Sequence, residues 1–359
     1  MTQPAPITGQ TETSLTQFLA AHGLPAFRAK QILGWIWDKR VESFERMTNL
    51  PATLKNLLGA NFSWPAMETV QIQGKPGKTR KFLSRLDDGQ CVESVIIPAA
   101  TGGDGGQSER LTLCVSSQVG CAFGCKFCAS GLLGFSRNLN AGEIVGQILA
   151  AERITGERID NLVFMGMGEP LANFDNLVTA LDIITAPWGL NIGGRHITVS
   201  TSGYAPNIVR LASYPRQIRL AISLHGATDD VRNQIMPVNK KWPLRELVPA
   251  LAAWASARKQ MITMEYILIQ GVNDSLEAAG HLASLAQRLN AKVNLIPYNT
   301  VEGLDWQRPP LSHCERFRDR LKQAGIPVTL RYEKGHDIDA ACGQLRLKKL
   351  KEDGQDILV

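Results

Sequence analysis

The chain has 359 residues and carries 39 Lys/Arg against 33 Asp/Glu, a net charge of +6. That length allows two or three domains with a sizeable main core, and 44% hydrophobic with 20% charged residues reads as an ordinary soluble globular protein. No run of about 18 apolar residues is present to span a membrane, and the polar stretch Met1 to Thr13 lacks the charged start and apolar core of a secretion signal, so a cytoplasmic, reducing location is expected.

In chain order, residues 1–13 read as a flexible N-terminus and residues 14–65 as a small helical domain. Ser14 is placed to cap a first helix through Leu15, Phe18 and Leu19, and Ile32, Leu33, Ile36 and Trp37 form one face of a second. Between Pro25 and Arg85 stand eleven Lys/Arg and four acids, a net of +7, which leaves the rest of the chain near neutral. Such a block suits a polyanionic partner such as nucleic acid, and it equally suits a bare solvated surface. Residues 66–108 switch to strand chemistry. Val70 and Ile72 alternate, Gly74-Lys75-Pro76-Gly77 makes a turn, Cys91 to Ile97 is a second β run, and a glycine-rich loop follows at 101–107.

From about residue 109 to 335 strands and helices alternate. Strands are expected at 111–115, 161–165, 196–200, 219–223, 264–269, 292–296 and 328–332. Helices are expected from Asn140, with Glu143 completing a capping box, and at 176–184, 244–257 and 276–289. This pattern predicts an α/β fold with a parallel sheet, open or curled into a barrel. Gly166-Met167-Gly168-Glu169, Thr201-Ser202-Gly203, Leu224-His225-Gly226 and Pro297-Tyr298-Asn299 fall where strands exit, the end at which parallel folds build ligand sites.

The run Gly120-Cys121-Ala122-Phe123-Gly124-Cys125-Lys126-Phe127-Cys128 concentrates the chemistry. Thiolate is the soft ligand that iron–sulfur clusters use. Three thiolates at Cys-x3-Cys-x2-Cys spacing suit three irons of a [4Fe–4S] cube and leave a fourth iron open. Structural zinc, which takes four ligands at paired spacing, and inert thiols are the plainer readings. An odd cysteine count and a reducing location argue against disulfides. Cys91 and Cys314 read as small buried hydrophobes, and Met165 and Met167 as packing.

The cysteine run resembles the signature of the radical S-adenosylmethionine (SAM) superfamily, and the match over roughly 110–335 implies a partial (β/α) barrel. A narrower likeness covers nearly the whole chain. Val92-Glu93-Ser94-Val95-Ile96-Ile97-Pro98, Leu113 through Cys121, Gly166-Met167-Gly168-Glu169-Pro170, Val199 through Gly203, Ile296-Pro297-Tyr298-Asn299 and Ala341-Cys342-Gly343-Gln344-Leu345 resemble the radical SAM RNA adenine methyltransferases, the RlmN/Cfr family. The RlmN type methylates carbon 2 of adenosine in 23S ribosomal RNA and in some transfer RNAs.

The resemblance implies that Cys121, Cys125 and Cys128 hold the cluster and that Gly168, Glu169, Ser200, Ser223, Leu224, His225 and Asn299 line the SAM site. It implies two SAM molecules per turnover, one methylating Cys342 and one cleaved to a radical that activates that methyl. It further implies Glu93 as the base, and Cys114 as the thiol that forms a disulfide with Cys342 on product release. Cys342 falls in a C-terminal segment, 336–359. The 14–65 domain and the tail residues Arg346, Lys348, Lys349 and Lys351 fit RNA phosphate contacts. A reductant such as flavodoxin or ferredoxin and a monomeric state complete the expectation. Three alternatives stand beside it: carbon-8 methylation by the sister group, another radical SAM class such as a methylthiotransferase, and a non-enzymatic metal- and RNA-binding protein.

Overall fold

The computed structural model describes residues 4–65, 67–99, 110–132, 134–301, 303–331 and 344–352. The glycine-rich loop 101–107 and Cys342 lie outside the described residues. Strand β1 (Ala5–Pro6) leads into helices α1 (Glu12–Ala21), α2 (Phe27–Trp37) and α3 (Ala52–Asn61), then β2 (Phe62–Ser63). The start of the chain is not loose through Thr13. β1 pairs in parallel with β2, and Ile7 is sealed in the core. Helix α1 begins two residues before Ser14, because Thr11 caps it and Ser14 completes the capping box from inside. The expected face of α2 is buried, Ile32, Leu33, Ile36 and Trp37 included.

Next come β3 (Glu68–Gln73), β4 (Arg80–Arg85), β5 (Cys91–Pro98), β6 (Leu111–Cys114), β7 (Gln118–Gly120), the short α4 (Ala129–Leu132), β8 (Phe135–Asn138) and α5 (Ala141–Thr155). Helix α5 has the expected capping box: Asn140 Oδ1 accepts from Glu143 N, and Glu143 Oε2 accepts from Asn140 N, each at 2.9 Å. The N-terminal module rests on this helix at a glycine contact. A Cβ on Gly9 would come within 2.9 Å of Gly142 N. Arg40 also reaches Glu152 on α5 at 3.0 Å.

The remaining alternation is β9 (Asn161–Phe164), α6 (Phe174–Thr185), β10 (Ile197–Thr201), α7 (Ala205–Ala212), β11 (Arg219–Ser223), α8 (Asp229–Ile235), α9 (Leu244–Arg258), β12 (Thr263–Leu268), α10 (Leu276–Arg288), β13 (Lys292–Pro297), α11 (Leu311–Gln323), β14 (Val328–Leu330) and α12 (Gln344–Glu352). One ten-stranded sheet runs β14-β13-β12-β11-β10-β9-β6-β5-β4-β3. Its seven strands from β14 to β6 are parallel, and β5, β4 and β3 extend it antiparallel. The strand order is linear with two ends, the partial barrel expected.

The small β module is therefore not a separate unit: β5 pairs with the first barrel strand. Strand β4 went unread in the sequence because Arg80, Lys81 and Arg85 hide its alternation. Lys81 is nevertheless buried, for a reason found in the site.

Candidate functional site

The sheet register brings two of the expected residues together. Val95 pairs with Cys114 across β5 and β6, and directly paired residues share a face. Glu93 stands two residues before Val95, so it shares that face too. Lys81 pairs with Val95 from the other side and joins the same face. Its Nζ lies 3.2 Å from Glu93 Oε2, with both side chains sealed from water. A buried cation needs such a partner. The main-chain N–H of Arg346, in α12, donates to Glu93 Oε1 at 2.7 Å. Cys114 is buried beside them.

The thiol loop lies between β7 and α4. Lys126 N donates to Ile235 O at 3.0 Å, tying the loop to α8, and Cys128 N donates to Cys125 O at 3.1 Å. Cys125 is buried, and Cys121 and Cys128 are half-buried. Burial pushes the Cys121 thiol up to about 12, with Cys128 and Glu169 adding to the effect. Burial raises Cys125 as well, reinforced by Cys121 and Cys128 and opposed by Arg232. The three sulfurs thus sense one another. Left alone, Cys121 and Cys125 stay thiols, and a bound cationic centre is what makes thiolates of such groups. Among the described residues no three His, Cys, Asp or Glu side chains converge on a single ion. A cube asks less of its ligands, since each sulfur binds a different iron.

The strand exits face this loop. After β9, Gly168 adopts φ +97, and a Cβ there would lie 2.5 Å from Gln118 Cβ; only glycine allows this approach. Glu169 N then donates to Gln118 Oε1 at 2.9 Å. The Glu169 carboxylate accepts from Leu171 N at 3.1 Å, Ser202 N at 2.8 Å and Ser202 Oγ at 2.7 Å. Burial still raises its pKa, against those donors. Ser200 Oγ and Ser223 Oγ, at the ends of β10 and β11, are 3.3 Å apart. Leu224 is buried. Asn299, after β13, has a buried Oδ1 without a hydrogen-bond partner, an acceptor awaiting a donor.

His225 has φ +53, and its ring stands edge-on to Phe127 of the thiol loop, centroids 4.9 Å apart. Ile267 N donates to its Nδ1 at 3.0 Å. The proton is therefore on Nε2 in the neutral ring. Burial, then the Arg232 charge, drops its pKa to about 3.

Arg232 was missed by sequence reasoning. It is fully buried on α8 and donates from Nη2 to Ser202 O at 3.0 Å, from Nη1 to Leu224 O, and from Nε to Asn239 Oδ1 at 2.8 Å. One guanidinium thus gathers the exits of β10 and β11 beside Cys125. An arginine just after Asp229 and Asp230 reads as a solvated helix face, so the sequence held no signal for it. By sequence Lys81 belongs to the basic block and Arg346 to the basic tail that fits RNA phosphates. Both are buried against Glu93.

Residues 115–283 match the Radical SAM superfamily, and residues 6–63 match the ribosomal RNA large subunit methyltransferase N-terminal domain. A probable dual-specificity RNA methyltransferase RlmN of Akkermansia muciniphila is 64% identical over 346 residues, covering 96% of each chain. The chain belongs to the RlmN family of RNA methyltransferases. A second RlmN relative, from Opitutus terrae, is 54% identical over 97% of this chain and 96% of its own. The crystal structure of a radical SAM methyltransferase from Sphaerobacter thermophilus superposes with a TM-score of 0.86 at 41% identity, covering 95% of this chain and 99% of that one. RlmN membership makes the protein a radical SAM enzyme that modifies RNA, and implies a [4Fe–4S] cluster and SAM. It excludes the non-enzymatic reading. Among the described residues no helix is long and apolar enough to cross a membrane.

Proposed function

We propose that this RlmN-family enzyme methylates carbon 2 of an adenosine in the peptidyl-transferase region of 23S ribosomal RNA, and of the adenosine 3′ of the anticodon in some transfer RNAs. The observation that carries the reading is the placement of Glu93 and Cys114 on one sheet face. Carbon 2 lies between two ring nitrogens and is electron-poor, so it offers no nucleophile to an ordinary methyl sulfonium. A base and a thiol side by side suit a route in which the methyl arrives on a protein sulfur and a ring proton must leave.

Cys121, Cys125 and Cys128 are the residues that hold the [4Fe–4S] cluster. With two SAM molecules per turnover, cluster and SAM supply a methyl group and the one-electron chemistry that activates it. Gly168, Glu169, Ser200, Ser223, Leu224, His225 and Asn299 line the SAM site, where the unsatisfied Asn299 Oδ1 is an acceptor for a polar group. Arg232 fixes the strand exits against which SAM lies. Cys342 carries the methyl. Glu93 takes the ring proton, a role ordinary for a positioned carboxylate. Cys114 attacks the Cys342 sulfur: the S–S bond forms as the Cys342 sulfur–carbon bond breaks, its electron pair leaves with the carbon, which takes up a proton to become the product methyl, and the reductant returns both thiols.

RNA is held electrostatically, and Lys30, Lys39, Arg46, Lys75, Lys78 and Arg85 are exposed for that purpose. A one-electron protein reductant such as flavodoxin or ferredoxin supplies electrons to a monomer working in the cytoplasm. The test is mass spectrometry of nucleosides from RNA incubated anaerobically with the reconstituted enzyme, SAM and a reductant. The expected product is 2-methyladenosine. Only 8-methyladenosine would move the assignment to the sister chemistry, and no methylated adenosine would overturn both.

A further inference from the structure

The carboxylate assigned as base also seats the C-terminal helix. Lys81 Nζ is 3.2 Å from Glu93 Oε2, and Arg346 N donates to Oε1 at 2.7 Å. Arg346 is the third residue of α12, within the first turn, whose N–H groups lack intrahelical acceptors. A carboxylate there satisfies an orphan donor and meets the positive end of the helix dipole. The Arg346 side chain adds a weaker tie, Nη2 to Gln90 Oε1 at 3.2 Å. Its buried Nε and Nη1 find no acceptor, so the main-chain bond to Glu93 is the stronger of its ties. Gln344, the first residue of α12, follows Cys342 by two positions.

We propose that Lys81 is a positioning residue for base and tail together: its pair with Glu93 presents a fixed carboxylate on which α12 docks, so that both oxygens are engaged while the helix is seated and Oε1 turns to substrate only when the helix lifts. The inference rests on the reading of Glu93 as the base. Lys81 stays on β4 throughout and keeps the carboxylate oriented. The helix is the part that leaves, because Lys81 belongs to the continuous sheet, whereas α12 is a nine-residue element held by hydrogen bonds from Arg346 and Gln344 and by the buried Leu345 and Leu347. The base is thereby quiet in the docked state and available in the lifted one.

Hydrogen–deuterium exchange of the full-length, cluster-loaded protein tests this. The readout compares a peptide spanning residues 344–352 with one spanning residues 91–98, for wild type, Lys81→Met, Lys81→Arg and Glu93→Gln. Lys81→Met and Glu93→Gln are expected to speed exchange in α12 by about tenfold or more, the scale of a lost charge-assisted hydrogen bond. The β5 peptide should stay protected. Lys81→Arg, which keeps a cation, should stay within about twofold of wild type. In methylation assays Lys81→Met should lower kcat more than it raises KM, and Lys81→Arg should recover kcat. Unchanged α12 exchange in Glu93→Gln with β5 intact overturns the latch. If Lys81→Met unfolds the sheet, the near-isosteric Glu93→Gln decides alone. Wild-type enzyme that makes no 2-methyladenosine sinks the base assignment, while faster α12 exchange in Glu93→Gln still establishes the docking contact.

Discussion

Glu93 and Cys114 are diagonal neighbours across β5 and β6, fixed on one face by the Val95–Cys114 register. A one-residue slip of that register would send them to opposite faces. Ser116 guards against the slip: its Oγ donates to Glu93 O at 2.6 Å and accepts from Met167 N at 2.9 Å, linking β5 to the exit of β9. The proposed base and thiol are thus placed by backbone pairing and not by a flexible loop.

The first prediction follows from their division of labour. Glu93→Gln should lower the rate of 2-methyladenosine formation by about 10²- to 10⁴-fold, the usual worth of a general base. Cys114→Ala should instead halt after the carbon–carbon bond has formed, leaving RNA joined to Cys342. Denaturing gels of RNA-labelled reactions check this: label should migrate with Cys114→Ala protein and not with the Cys114→Ala, Cys342→Ala double variant. Multiple-turnover methylation by Cys114→Ala would refute the role given to that thiol.

The contrast between what could and could not be read from the sequence has a physical basis. Strands β9 to β13 announce themselves because both faces are buried in a parallel sheet, giving short apolar runs such as Leu162 to Phe164. The thiol loop and Gly168 are legible because the chemistry demands particular residue types at particular spacing. Lys81, Arg232 and Arg346 are illegible for the opposite reason. Each is an ordinary surface residue type whose burial depends on a partner outside its own element: Glu93 for Lys81, the carbonyls of Ser202 and Leu224 for Arg232, and Glu93 and Gln90 for Arg346. Local patterning carries no record of such pairings. The start of the chain was misread likewise, since Ala5–Pro6 becomes a strand only through Phe62–Ser63.

Gly168→Ala tests the close approach at the β9 exit. A methyl there meets Gln118 Cβ at 2.5 Å and Gln118 N at 2.8 Å in a left-handed backbone. Backbone strain alone costs of order 1–3 kcal/mol, and relief of the clash must move Glu169, whose N–H rests on Gln118. The variant should lose about 2 kcal/mol or more in urea unfolding, and SAM should bind at least about tenfold more weakly by calorimetry. Wild-type SAM affinity in a stably folded variant would remove Gly168 and Glu169 from the site.

Arg232→Met tests the buried guanidinium. Methionine fills part of the volume but removes the donors to the Ser202 carbonyl and to Asn239 Oδ1. Each unsatisfied buried group costs about 1–3 kcal/mol, so a loss of about 3 kcal/mol in urea unfolding of the apoprotein is expected. Arg232→Lys restores the charge but not the planar fork that reaches both strands. It should recover less than half of that loss. Full recovery by lysine would show that charge, and not the gathering of strand exits, is the role of this side chain.

His225 provides a pH signature. Its Nδ1 is committed to Ile267 N, and burial with the Arg232 charge lowers its pKa to about 3, below the value of about 6.5 in an unfolded chain. Between those values the unfolded chain binds a proton that the folded chain refuses. The stability it contributes is therefore complete above pH 6.5 and is lost as pH falls toward 3, at about 1.4 kcal/mol per unit. Asparagine tolerates the φ of +53, and its side-chain oxygen is a replacement acceptor for Ile267 N, but it does not titrate. Urea unfolding of the apoprotein at pH 7.5 and pH 5.0 should show wild type losing about 2 kcal/mol more than His225→Asn. Equal losses would mean that the folded protein accommodates the imidazolium, and with it that His225 is not held as a neutral Nε2–H ring in the proposed SAM site.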